Sequence, residues 1–190
     1  MNIIVLLGPP GAGKGTVAEA LTKRGVHHIS TGDMLRQEIH DGTELGLRSK
    51  NKLNQGLFAD DVDVITMVTD YLMAQDPDDL VLFDGFPRTL VQAEKLSELT
   101  QTTHINLKTV LRLKCPDSVL FKRLSKRRAS QNRADDTPAT VRRRLDIYNQ
   151  LTRPLVDYYL ETKILHEIDA SRSSEEVRSD VLLKLEEYLP

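Results

Sequence analysis

The chain has 190 residues, 39% of them apolar and 28% charged, with a formal net charge of −2. That length suits one compact domain, and the near-neutral balance excludes a global electrostatic pull toward nucleic acid or an anionic membrane. The single cysteine, Cys115, excludes an intramolecular disulfide and a cysteine-based zinc cluster. Cys115 ends an apolar run and reads as a buried, inert thiol. No apolar run reaches membrane-spanning length and Met1 opens directly on a strand pattern, so a soluble, cytoplasmic protein is expected.

Tryptophan is absent and aromatic residues make up only 5%, so Leu, Val and Ile must build the core. Ile3–Leu7 reads as the first strand, and a glycine-rich stretch and a helix follow it. Val26–Ser30 is the second strand. Thr31–Val62 is helical in pattern with no strand between its parts. In Asp61–Ala74 the apolar positions Val64, Ile65, Val68 and Leu72 fall on one helix face. Leu80–Phe83 and Thr109–Leu113 are further strands, and Ala129–Asp136 is a short polar loop. Thr137-Pro138 marks a helix start, with proline at the first helical position. That helix would run to about Tyr159, with a kink or break at Pro154. Ile164–Ile168 is the fifth strand. Ser173 and Glu176 have capping-box spacing before a last helix whose stripe is Val177, Val181, Leu182, Leu185 and Leu189. Strands alternating with helices predict an α/β fold, a five-stranded parallel sheet with helices on both faces.

The glycine-rich stretch carries the chemistry. Gly8 to Lys14 fits a phosphate-cradling loop, with a strand before it and a helix after it. Glycines at Gly11, Gly13 and Gly15 let successive N–H groups, Ala12 included, point into one concavity, and the following helix adds its dipole. Lys14 supplies a point charge for the outer phosphates. One detail departs from the general pattern. Gly15 follows the lysine and the hydroxyl comes one residue later, at Thr16, so a magnesium ion would be held through water and the triphosphate rather than directly.

Two more motifs follow strands. Ser30-Thr31-Gly32-Asp33-Met34-Leu35-Arg36 comes after the second, and Asp84-Gly85-Phe86-Pro87-Arg88, with Gln92 beyond it, comes after the third. Strand ends are where ligands bind in open parallel sheets, so all three motifs should meet in one crevice. In content and order they resemble the adenylate kinase family along essentially the whole chain. The resemblance implies a P-loop nucleoside triphosphate hydrolase-like sheet with a helical AMP-binding lobe at 30–60, and transfer of the terminal phosphoryl group of MgATP to AMP, giving two ADP. Arg36 and Arg88 would fork onto the acceptor's monophosphate. Thr31, Gln92 and the backbone at Gly85 and Phe86 would cradle the acceptor base. Leu57, Phe58 and Ala59 would line the adenine, although Phe58 serves equally well as lobe core. Asp33 and Asp84 would orient magnesium through water, with helix capping as the plainer role for Asp33.

Residues 122–144 hold nine basic side chains against Asp135 and Asp136. A solvated helical face accounts for Lys122, Lys126, Arg142 and Arg143. By resemblance, Arg123, Arg127, Arg133 and Arg144 are the family's phosphate-clamping arginines, with Arg128 a weaker candidate. Arg133 and Arg144 would also touch AMP, and Arg123, Arg127 and Arg172 would touch ATP. Few residues separate Arg127 from Arg133, which implies the short-lid form at 127–137, without zinc. Thr137-Pro138-Ala139 departs from the polar residues many relatives carry there and bears on how the lid closes. A monomer is expected, with ATP, AMP and ADP as partners and neither nucleic acid nor membrane. The five histidines form no metal-ligand pattern. At this level two alternatives stay open: a kinase for UMP or CMP, and a nucleotide-dependent nucleic-acid-binding module. Thr31 and Gln92 favour AMP, since UMP and CMP kinases typically carry alanine and asparagine there.

Overall fold

A computed structural model describes residues 1–76, 78–131 and 137–189; of residues 127–131 only the backbone is described. Five strands, β1 (Asn2–Leu7), β2 (His27–Ser30), β3 (Leu80–Asp84), β4 (Asn106–Lys114) and β5 (Leu165–Asp169), form one sheet in the order β2-β3-β1-β4-β5. Every pairing is parallel, with Val5 of β1 opposite Phe83 of β3 and Val110 of β4. Parallel sheets need cover on both faces, and the alternation in β1 shows how it is met. Ile3, Val5 and Leu7 enter one core cluster, while Ile4 and Leu6 enter the other.

The first cluster is closed by α4 (Asp61–Met73), α5 (Leu90–Thr102) and α8 (Leu155–Glu161). Helices α1 (Lys14–Thr22), α6 (Asp117–Gln131), α7 (Pro138–Ile147) and α9 (Ser174–Leu185) close the second. Each fully buried Leu or Ile contributes about 1.5–3 kcal/mol of transfer free energy. None of the described helices is long and apolar enough to cross a membrane.

Helices α2 (Thr31–Asp41) and α3 (Glu44–Asn54) form the helical segment after β2. They meet at Gly46, where an added Cβ would sit 2.1 Å from the Glu38 carbonyl oxygen. Glycine is required there by the closeness of two backbones. The Thr43 hydroxyl fixes the turn by accepting the Gly46 N–H at 3.1 Å and donating to the Glu38 carboxylate at 2.5 Å.

Several elements differ from the expectation. The long helix after Thr137 breaks before Pro154 rather than at it. Residues Tyr148–Thr152 form a π-helical turn, with the Arg153 N–H donating to the Tyr148 carbonyl at 2.8 Å. Pro154 has no N–H and its ring crowds the preceding turn, so the chain widens one turn early. Residues 129–131 continue α6 instead of opening a loop. Helix α9 stops at Leu185, although Leu189 still packs on the second cluster. Cys115 is only half-buried. The capping box at Ser173 and Glu176 forms as expected, and Thr137 caps α7 by accepting the Thr140 N–H at 3.2 Å.

Candidate active site

All three motifs open on one crevice of about 1310 Å³ at the C-terminal edge of the sheet. A single small ligand commonly fills about 300–1,000 Å³, so there is room for more than one nucleotide-sized molecule.

At one end, the loop after β1 turns through Gly11 (φ 84°) and Gly13 (φ 98°), left-handed conformations that a side chain would strain. At Gly11 a Cβ would lie 2.9 Å from Leu124, so α6 presses directly on the loop. Gly13 precedes α1, and its carbonyl accepts the Thr16 and Val17 N–H groups at 3.0 and 3.1 Å. Lys14 folds over the loop and donates to the Gly8 and Pro9 carbonyls at 2.9 and 3.3 Å. Its ammonium is thus held over the loop. Gly15 and Thr16 are exposed on the first turn of α1.

Arginines meet in the same crevice. Arg88 lies against the backbone of Gly85, where an added Cβ would sit 2.8 Å from its Nη2 and 2.5 Å from the Thr31 hydroxyl. Gly85 itself has φ 96°, so the β3 turn needs glycine twice over. The Phe86–Pro87 peptide is cis, and Phe86 is buried. The Arg88 guanidinium carbon stands 4.9 Å from the centre of the Phe58 ring, a cation–π contact. Phe58 is therefore a crevice residue and stays outside the buried cluster, whereas its neighbour Ala59 belongs to it. Burial pulls the Arg88 pKa below its ordinary value; Asp84 opposes this, and the charges of Arg144 and Arg36 add to it. Arginine stays protonated regardless. The positive charges of Arg144 and Arg36 thus bear on Arg88 within one crevice, a setting that suits an anion.

Two of the expected arginines make contacts of their own in this structure. Arg36, expected on the acceptor phosphate, pairs with Asp33 three residues earlier. Ser30, not Asp33, caps α2: its hydroxyl accepts the Asp33 N–H of the first turn at 3.2 Å. An incoming phosphate would compete with that carboxylate for Arg36. Arg144 brings its stem to Gly56, where an added Cβ would be 3.3 Å from the Arg144 Cγ. The Leu57–Ala59 segment is thereby docked on α7.

The end of the crevice near β5 is organised by Arg123. Its Nη1 donates to the Ala170 carbonyl at 2.7 Å and its Nη2 to the Arg172 carbonyl at 3.1 Å. It ties the loop after β5 to α6 beside the phosphate loop, where Ala170, Ser174 and Val177 line the wall. The Arg172 side chain turns away to Asp180 and donates to the Asp169 carbonyl at 3.3 Å. The Arg127 and Arg128 side chains, Arg133 and the Asp135-Asp136 pair lie outside the described residues, as does most of the expected lid.

Sequence reasoning missed four residues at this site. Asp61 accepts hydrogen bonds from Gln92 and Thr89, and Thr152 in the π-turn donates to the Arg88 carbonyl at 2.9 Å. Tyr148 lines the crevice from the same turn. Thr89-x-x-Gln92 does have capping-box spacing, a signal available beforehand. The Gln92 side chain reaches one residue further back than that motif requires, to Arg88.

A phosphate-cradling loop alone makes a nucleotide-binding protein. Facing arginines in the same crevice add a site for a second phosphate, and this combination defines a nucleotide-dependent phosphotransferase. A family profile described as adenylate kinase matches residues 6–164. An adenylate kinase of Leptospira biflexa is 39% identical over 183 residues, covering 96% of this chain and 98% of its own. One from Hyphomonas neptunium is 43% identical over 182 residues (95% and 96%), and one from Clostridium botulinum is 34% identical over 206 aligned positions (94% and 96%). The chain belongs to the adenylate kinase family, and its reaction is reversible transfer of the terminal phosphoryl group from ATP to AMP, giving two ADP.

Proposed function

We propose that the two ends of the crevice divide the work between donor and acceptor. Gly11 to Thr16 hold the donor's phosphates, and Lys14 leaves the Gly8 and Pro9 carbonyls to meet them. Arg123 and the loop at 170–174 face the donor base. Arg88 and Arg36 take the acceptor's phosphate, and Arg144 lies between the two and neutralises the group in transit. Thr31, Gly85, Phe86, Gln92 and the Leu57–Ala59 segment surround the acceptor base. The observation that carries this reading is that Arg36, Arg88 and Arg144 line the same crevice as the glycine-rich loop and Lys14. An AMP phosphate is already an anion, so the enzyme needs no catalytic base. It positions the reactants and neutralises charge.

The donor set also suits magnesium carried in with ATP. Among the described residues no three His, Cys, Asp or Glu side chains cluster to cage a metal. Asp84 stands half-exposed at the end of β3 and Thr16 is exposed beside the loop. Those two and Asp33 would hold a hydrated ion through water, as magnesium prefers. Bound there, the ion supplies charge neutralisation on the phosphate oxygens. Residues 30–60 act as the acceptor lobe and 127–137 as a short lid carrying Arg127 and Arg133 over the phosphates. Both nucleotide sites come from one chain, so a monomer suffices.

Steady-state assays of an Arg88→Ala variant test the division. The KM for AMP should rise by about tenfold to a hundredfold, as expected when a charged hydrogen-bonding partner is lost, with the KM for ATP little changed. A rise in the ATP KM alone would overturn the assignment of ends.

A further inference from the structure

Gln92 is 2% exposed, and its side-chain amide is gripped on both sides. Its Oε1 accepts the Arg88 backbone N–H at 2.7 Å, and its Nε2 donates to Asp61 Oδ1 at 2.7 Å. The same carboxylate oxygen accepts the Thr89 hydroxyl at 2.9 Å, and Thr89 in turn accepts the Gln92 backbone N–H at 3.2 Å. A backbone N–H can only donate, and an ionised carboxylate can only accept. Half a turn of the Gln92 amide would set NH2 against N–H and carbonyl against carboxylate. Two short hydrogen bonds would become two repulsions, so one orientation is fixed.

We propose that Asp61 is a specificity-determining positioning residue, because with the Arg88 backbone N–H it holds the Gln92 amide in the one orientation that fits adenine. This rests on Gln92 reading the acceptor base. An amide has two acceptor lone pairs and two N–H groups, and the protein uses one of each. One acceptor and one donor remain for a ligand. Adenine offers their complement on its Watson–Crick edge, with the 6-amino group donating and N1 accepting. Hypoxanthine offers the reverse, because a carbonyl replaces the amino group and N1 carries a hydrogen. An amide free to rotate serves both bases; an amide pinned by Asp61 serves adenine. Asp61 is also the first residue of α4, just past the Leu57–Ala59 segment. It therefore joins the loop lining the acceptor end to the amide that reads it.

The test compares AMP with IMP as acceptors, at saturating ATP, in wild type, Asp61→Ala, Asp61→Asn and Gln92→Ala. Asp61→Ala should lower the AMP-to-IMP ratio of kcat/KM by about tenfold, because only the Arg88 N–H then opposes the flipped amide that accepts the reversed pattern. Asp61→Asn keeps an oxygen acceptor and should recover most of the ratio. Asp61→Pro, which the first helical position tolerates well and which carries no side-chain acceptor, gives the same comparison if the alanine variant does not fold. An unchanged ratio in Asp61→Ala beside a collapsed one in Gln92→Ala would overturn the positioning role while leaving base reading intact. An unchanged ratio in both would remove base reading by Gln92 itself. Equal losses for AMP and IMP in Asp61→Ala would mark a merely structural residue and also overturn the proposal.

Discussion

Replacing Gly46 with alanine puts one methyl group between two backbones. The new Cβ would sit 2.1 Å from the Glu38 carbonyl oxygen, 2.3 Å from the Glu38 carbonyl carbon and 2.6 Å from the Ile39 nitrogen. The closest of these is roughly 1.4 Å inside van der Waals contact. No side chain can rotate away, so α2 and α3 must move apart. Overpacking of this kind costs about 1–3 kcal/mol. Alanine returns up to about 1 kcal/mol through helix propensity. A clash with backbone this close belongs at the upper end of the overpacking range. The net expectation is a destabilisation of about 2 kcal/mol, which for a chain of this size lowers Tm by about 4–8 °C. The displacement also reaches function. Helix α2 carries Arg36, and α3 leads into the Leu57–Ala59 segment, so the KM for AMP should rise while the KM for ATP holds. Thermal unfolding followed by circular dichroism and a coupled kinase assay measure both. A variant as stable as wild type, with an unchanged AMP KM, would refute the close-contact reasoning.

Two other outcomes follow from the structure. Thr152→Val is nearly isosteric but leaves the Arg88 carbonyl without its 2.9 Å donor. A loss of about 1–3 kcal/mol in thermal unfolding and a several-fold rise in the AMP KM are expected, and no change in either would show that the π-turn does not position Arg88. Burial pushes the Cys115 thiol above its ordinary pKa, with Asp169 and Asp117 adding to the rise and Arg123 opposing it. Alkylation by iodoacetamide should thus be slow near pH 7 and still accelerating above about pH 9, since only the thiolate reacts; a rate that levels off below about pH 8 would contradict the assignment.

The sequence by itself determined the sheet and the glycine-rich loop after its first strand. Strands and glycine turns are local: Val5 needs only its alternating neighbours, and Gly13 needs only its own backbone freedom. All five strands were legible for this reason, and so was the phosphate loop. Arg36, Arg88 and Gln92 could be nominated from motif order. Their surroundings could not, because hydrogen-bond partners far apart in sequence leave no periodic trace. Asp61 reads as an ordinary acid at a helix start until Gln92, 31 residues away, is found donating to it. Thr152 reads as mid-helix until Pro154 forces the π-turn that aims it at Arg88. Arg123 could be nominated as a phosphate clamp, and only the tertiary structure shows its N–H groups donating to the Ala170 and Arg172 carbonyls. Local chemistry fixed which groups could bind phosphate. Long-range packing decided how each of them is held, because orientation depends on neighbours that only the folded chain brings together.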